Sequence, residues 1–176
     1  NKAPRFKSKK NPVQSYTTKE TNSNIAIVDN KIKLPKLGIV RLAKSREVEG
    51  RILSATVRRN PSGKFFVSIL VETDVQPLKK TESSIGIDLG IKDFAVFSDG
   101  HKMDNHTFTA KMEKKLRREQ RKLSRRALNA KNNGMNLLDA KNYQKQKRRV
   151  ARLHERVMNQ RDDFLHKLST EIIKNH

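Results

Sequence analysis

The chain predicts an α+β protein in three stretches: a small β-barrel or sandwich, a few further strands, and a long antiparallel helical hairpin. Three observations carry this. From Asn24 to Val75, short apolar runs alternate with turn signals at regular intervals, the habit of small all-β units. From Thr109 onward the apolar residues fall at helical spacing instead. Over both patterns lies charge, with 40 Lys+Arg against 18 Asp+Glu and a formal net charge of +22 on 176 residues.

The elements follow in order. Asn1 to Thr21 is basic and polar, with Pro4 and Pro12, and is expected to be extended and loosely ordered. Ile25–Val28 and Lys31–Leu34 flank Asp29-Asn30, a two-residue hairpin turn. Leu37–Leu42 predicts another short strand. Ile52–Arg59 and Lys64–Glu72 flank Asn60-Pro61-Ser62-Gly63, where proline presets the turn and glycine supplies a positive φ. Pro77 to Ser83 reads as a linker, so the first domain is expected over 1–78 and the second over 83–176. Ile85 to Phe108 predicts up to three strands: one through Leu89, one at Asp93–Ser98, and a weaker one after Asp99-Gly100.

Two helices close the chain. Met112, Leu116, Leu123 and Ala127 mark the first, and Val150, Leu153, Val157, Phe164, Leu168 and Ile172 the second. They are expected at about 110–128 and 140–175, with a helix-breaking connector over Asn129–Asn136 that contains Gly134. Asn1 is not Met, and Glu171–His176 ends without a clear helix cap. Both features suggest an internal piece of a longer protein.

Composition narrows the function. A charge of +22 makes a compact chain repel itself unless a polyanion is near, so nucleic acid is the first partner to consider. No long apolar span or signal-peptide pattern speaks for a membrane or an exported protein. The chain has no cysteine, and so neither a disulfide framework nor a thiolate metal site. A cytoplasmic or nucleoid-associated setting fits these features.

One acid stands out. In Gly86-Ile87-Asp88-Leu89-Gly90 the strand alternation sets Ser84, Gly86, Asp88 and Gly90 on one face, so the carboxylate stands among residues with almost no side chain. That leaves room for a hard cation and a phosphate, and a strand is a rigid support for such a ligand. The alternative is that Asp88 begins a bulge and the glycines serve the turn. Asp93 and Asp99 lie at turns and read as solvated or capping groups.

The basic residues form two sets. Between Lys111 and Arg126 stand Lys114, Lys115, Arg117, Arg118, Arg121, Lys122 and Arg125, opposed only by Glu113 and Glu119. Salt-bridge lacing would need acids in comparable number, so a phosphate-tracking face is expected. Lys141, Lys145, Lys147, Arg148, Arg149 and Arg152 on the second helix extend it. The strand region adds Arg5, Lys7, Lys9, Lys10, Lys31, Lys33, Lys36, Arg41, Arg58 and Arg59, with Phe6 and Tyr16 as candidate stacking groups, although a lone aromatic in such a barrel is more often core. His101, His106, His154 and His166 form no ligand set. A P-loop, a GxSxG elbow and a cysteine nucleophile are all absent.

Gly86-Ile87-Asp88-Leu89-Gly90-Ile91-Lys92-Asp93-Phe94-Ala95 with Ser98-Asp99-Gly100 resembles the first motif of the RuvC-like, RNase H-like nuclease domain of TnpB proteins. These are the OrfB-type transposase proteins of bacterial insertion sequences, related to type V CRISPR effectors. Gln14–Thr18, Lys33–Gly38 and Ser62–Ser68 resemble the wedge barrel of that family. Lys115–Arg118, Leu123–Arg125, Leu153–Glu155 and Asn159–Ser169 resemble its helical region. The resemblance implies an RNA-guided DNA endonuclease that takes part in transposition and DNA recombination. A guide RNA and a double-stranded DNA target would be its partners, and Mg²⁺ would be held by Asp88 as first catalytic carboxylate. The second and third acids of the family, and the cysteines of its zinc ribbon, match nothing in this sequence. These residues alone are therefore expected not to cleave DNA and to hold no zinc.

Three other readings stand beside this one. A nuclease-dead RNA-guided repressor, or a basic RNA-binding module, would use the same charge without the chemistry, although the intact Asp88 argues against loss of the nuclease at this one position. An actin-like ATPase can also read GIDLG. Its loop usually continues with hydroxyl residues, and here Ile91-Lys92-Asp93 follows.

Overall fold

A computed structural model of the chain describes residues 13–77 and 81–176. It divides into two compact units, Asn1–Gln76 and Pro77–His176. Arg5, Phe6, Lys7, Lys9 and Lys10 lie outside the described residues.

The first unit holds six strands: β1 Gln14–Lys19, β2 Ala26–Val28, β3 Lys31–Leu34, β4 Gly38–Arg41, β5 Arg51–Arg59 and β6 Phe65–Glu72. They form two antiparallel three-stranded sheets, ordered β1-β5-β6 and β2-β3-β4. Ile25, Ile32 and Leu34 from one side meet Ala55 and Val57 of β5 in a single core. The alternation is visible in β3, where Ile32 and Leu34 are buried and Lys31 and Lys33 are exposed.

Turn chemistry sets the registers. Asp29 takes a left-handed φ of 51° between β2 and β3, a conformation aspartate tolerates better than most residues. In the β5–β6 hairpin Gly63 sits at φ 85°, and its N–H donates to the Asn60 carbonyl at 2.9 Å. Gly50, where the chain enters β5, is required for a different reason. A Cβ there would lie 2.2 Å from the Glu72 carbonyl oxygen.

The sequence placed Gln14–Lys19 in a loose opening, and the structure makes it β1. The Tyr-Thr-Thr run suits a pleated surface, and β5 offers a long central strand for it to pair with, Tyr16 opposite Val57.

The second unit begins with three strands, β7 Ile87–Leu89, β8 Asp93–Phe97 and β9 Lys102–Asp104, in the order β7-β8-β9. Two helices follow, α1 Phe108–Asn132 and α2 Lys141–Asn175. Ala95 and Phe97 of β8 pack on Leu168 of α2, with Phe94, Phe164 and Ile172 around them. Phe164 meets the edges of Phe94 and Phe108 at centroid distances of 5.1 and 5.9 Å, tying both helices to the sheet.

The helices run antiparallel. Thr109 meets Arg161, Glu119 meets Gln146 and Arg126 meets Asn142, so contacts descend α2 as they climb α1.

Candidate nucleic-acid interface and acidic site

Asp88 occupies the middle of β7 and pairs with Val96 of β8. Because β7 is an edge strand, its whole length is exposed, Asp88 included. The flanking glycines have local causes. Gly86 exchanges hydrogen bonds with Ser98: its N–H donates to Ser98 Oγ at 3.0 Å and its carbonyl accepts from Ser98 N–H at 2.9 Å. A Cβ on Gly90 would stand 2.9 Å from the Asp93 carbonyl oxygen, so the turn into β8 closes only on glycine. The glycines thus serve the β7–β8 hairpin, and the exposed carboxylate is a separate feature.

Among the described residues no group of three or more His, Cys, Asp or Glu side chains could hold a metal ion. Asp93 stands opposite Asp104 in the β8–β9 register, and Asp99 Oδ1 accepts from His101 N–H at 2.9 Å as a turn cap. The described residues therefore fit one ligand of a cation site, Asp88, and not a complete set.

In the first unit Lys36 lies at φ 66° in the β3–β4 turn and is exposed. Arg58 and Arg59 end β5, and the Arg59 guanidinium lies over the Phe65 ring, 5.9 Å from its centroid. Tyr16 packs against the core of this unit, and its hydroxyl is buried without a hydrogen-bond partner among the described residues. Core packing accounts for its position.

On α1 the structure sorts the cations. Arg117 pairs with Glu113, four residues before it. Glu119 is completely buried and gathers Lys122 and Arg149 at 3.3 Å and Arg118 at 3.6 Å. Gln146 of α2, itself buried, donates from one Nε2 to both the Glu119 carboxylate at 2.8 Å and its backbone carbonyl at 3.0 Å. That hydrogen bond, with Lys122 and Arg149 beside it, holds the Glu119 carboxyl below its ordinary value, although burial pushes the other way. Lys114, Lys115, Arg121 and Arg125 remain exposed on the outer face.

On α2, Lys141, Lys145, Arg148, Arg149 and Arg152 line a groove of about 1050 Å³ together with Arg126 of α1, while Lys147 is exposed and does not line it. Arg126 Nη1 donates to the Asn142 carbonyl at 2.9 Å, joining the two helices at this end.

The sequence reading counted Glu119 only as a weak opponent of the bases. The available signal was its place on the apolar stripe, at Met112, Leu116, Glu119, Leu123 and Ala127, facing Gln146 on the matching stripe of α2. Polar residues at stripe positions of two facing helices point to a buried pair.

The model of the OrfB_IS605 family, described as "Probable transposase", matches residues 67–176. A protein of Escherichia coli strain K12, "Putative RNA-guided DNA endonuclease InsQ", is 38% identical over 149 residues, covering 84% of this chain and 34% of its own length. One from Streptomyces pristinaespiralis, "Putative RNA-guided DNA endonuclease", is 31% identical over 178 residues, covering 99% of this chain and 41% of its own. The chain therefore spans about a third to two-fifths of the length of these relatives. A motif at Asp88, two cation-rich helices and a family match across both place this chain in the OrfB_IS605 transposase family.

Proposed function

We propose that this chain forms part of an RNA-guided, metal-dependent DNA endonuclease, with Asp88 as the first carboxylate of an RuvC-like site. The two-sheet unit is then the wedge-like barrel, and β7–β9 with the helical hairpin are the opening part of an RNase H-like domain. The observation that carries the reading is an exposed carboxylate at the centre of β7, in a chain whose relatives are named for this chemistry. Guide RNA and target DNA would be the polyanions that the +22 charge accommodates, and base pairing would do the sequence reading.

Mg²⁺, when bound, would supply an activated water and stabilise the leaving oxygen. Asp88 can donate one hard oxygen ligand to such an ion. One carboxylate does not fix a metal pair, so residues 1–176 on their own do not cleave DNA in this proposal. Robust Mg²⁺-dependent cleavage by the purified residues, lost on Asp88→Ala, would overturn that part.

The central test uses the intact protein. Metal-assisted charge stabilisation contributes several kcal/mol, so Asp88→Ala should lower target cleavage by about a thousandfold. Guide-RNA affinity should stay unchanged. Cleavage at the wild-type rate would remove Asp88 from the chemistry.

A further inference from the structure

We infer that the groove between the end of α1 and the first three turns of α2 is a binding site for the sugar-phosphate backbone of one nucleic-acid strand. The inference deepens the proposal above and rests on its nucleic-acid part, though not on cleavage. Lys141, Lys145, Arg148 and Arg152 recur at four-, three- and four-residue steps, which sets them in one row along the helix. The row is about 16 Å long, the axial rise of about five phosphates on one duplex strand. Arg126 of α1 and Arg149 of α2 complete its cationic lining, and no Asp or Glu lines it.

Three further features make it a built site rather than a solvated charge run. The buried Glu119 fixes Arg149 by an ion pair at 3.3 Å, and Gln146, which also lines the groove, locks Glu119 in turn. Arg126 is held by the Asn142 carbonyl, so two of the six cations are positioned before any ligand arrives. The first turn of α2 lies at the groove mouth with no acidic residue and no side-chain cap. Its first N–H groups, which have no partner within the helix, and the positive end of the helix dipole add to the field an anion would meet. Lys141, Lys145 and Arg148 have no acid within ion-pair distance among the described residues. They are the cations free to release counterions from a phosphate backbone.

The test measures binding alone, with fluorescein-labelled RNA, single-stranded DNA and duplex DNA of one mixed sequence. The full 176-residue chain is compared with a groove variant, Lys141→Ala/Lys145→Ala/Arg148→Ala. The control, Lys92→Ala/Lys102→Ala/Lys174→Ala, removes the same charge from exposed positions elsewhere in the second unit. All six positions are exposed, and circular dichroism verifies that both variants keep their helices. The groove variant should lose on the order of tenfold in affinity, and its log K against log salt slope should shrink by roughly 2 to 3 between about 50 and 200 mM salt. The control should lose far less. The probe on which the slope shrinks identifies RNA or DNA as the natural strand. Equal losses in the two variants, or no loss in the groove variant on any probe, would overturn the site. A cleavage assay that cleared Asp88 of a role would leave this result untouched.

Discussion

Glu119 carries more than its share of the helical hairpin. It is the one carboxylate among the described residues with no exposed surface, and Gln146, Lys122, Arg149 and Arg118 surround it. Its folded-state pKa lies below the ordinary 4.5, chiefly because Gln146 donates to the ionised form. The sign follows: its stabilisation is present in full above the unfolded value and is lost as pH falls through the lowered folded one. Glu119→Gln should therefore flatten the acid limb of a thermal-midpoint profile below about pH 4.5. Glu119→Ala, which takes the carboxylate away from Gln146, Lys122 and Arg149, should lower the midpoint by several degrees at neutral pH. An unaltered acid limb in Glu119→Gln would reject the assignment. Asp88 was legible as a residue because strand alternation and a motif both point at it. Glu119 was not, because a count of charges on one helix says nothing of what a second helix brings against it.

At the scale of elements, the end of α1 separates helix-breaking residues from residues that merely tolerate a helix. The sequence ends α1 near residue 128, before a connector over Asn129–Asn136 that contains Gly134, yet α1 continues to Asn132. Asparagine costs only a few tenths of a kcal/mol in a helix, and the burial of Ala130 in this last turn outweighs that. Gly134 is where the chain turns, at φ 65°. The Met135 N–H reaches the Ala130 carbonyl at 2.9 Å and the Gly134 N–H reaches that of Lys131 at 3.0 Å, the two bonds of a Schellman cap. A Cβ on Gly134 would meet nothing within 4 Å, so the backbone angle alone sets the cost of replacing it. Gly134→Ala should destabilise by about 1 kcal/mol, left-handed strain less the entropy alanine removes from the unfolded chain. Asn132→Ala should stay within about 0.5 kcal/mol of wild type. Denaturant midpoints for both check this, and equal effects would show that the glycine is not the stop. The β-hairpins were readable because Asp29-Asn30 and Pro61–Gly63 announce themselves locally. β1 was not, since its pairing with β5 joins residues far apart in sequence.

Across the whole molecule, burial is unevenly shared. β5 is nine residues long, sits between β1 and β6, and buries Ala55 and Val57 in a core that both sheets of its unit line. β7 is three residues at a sheet edge, with Ile87 43%, Leu89 70% and the following Ile91 94% exposed. Alternation in the sequence predicted one apolar face for these isoleucines and leucine, and only Ile85, partly buried, reaches the core formed by Ala95, Phe97 and Leu168. An edge strand with an uncovered apolar face opens at low free energy, because few buried contacts break when it leaves. Amide hydrogen exchange on the 176-residue chain should therefore show Ile87–Leu89 exchanging at least tenfold faster than Ser54–Arg58, a gap of about 1.4 kcal/mol in opening free energy. Equal protection would mean that β7 is held by more than its single neighbour. A rise in β7 protection on adding RNA or DNA would instead place the polyanion, or something ordered by it, against the strand that carries Asp88.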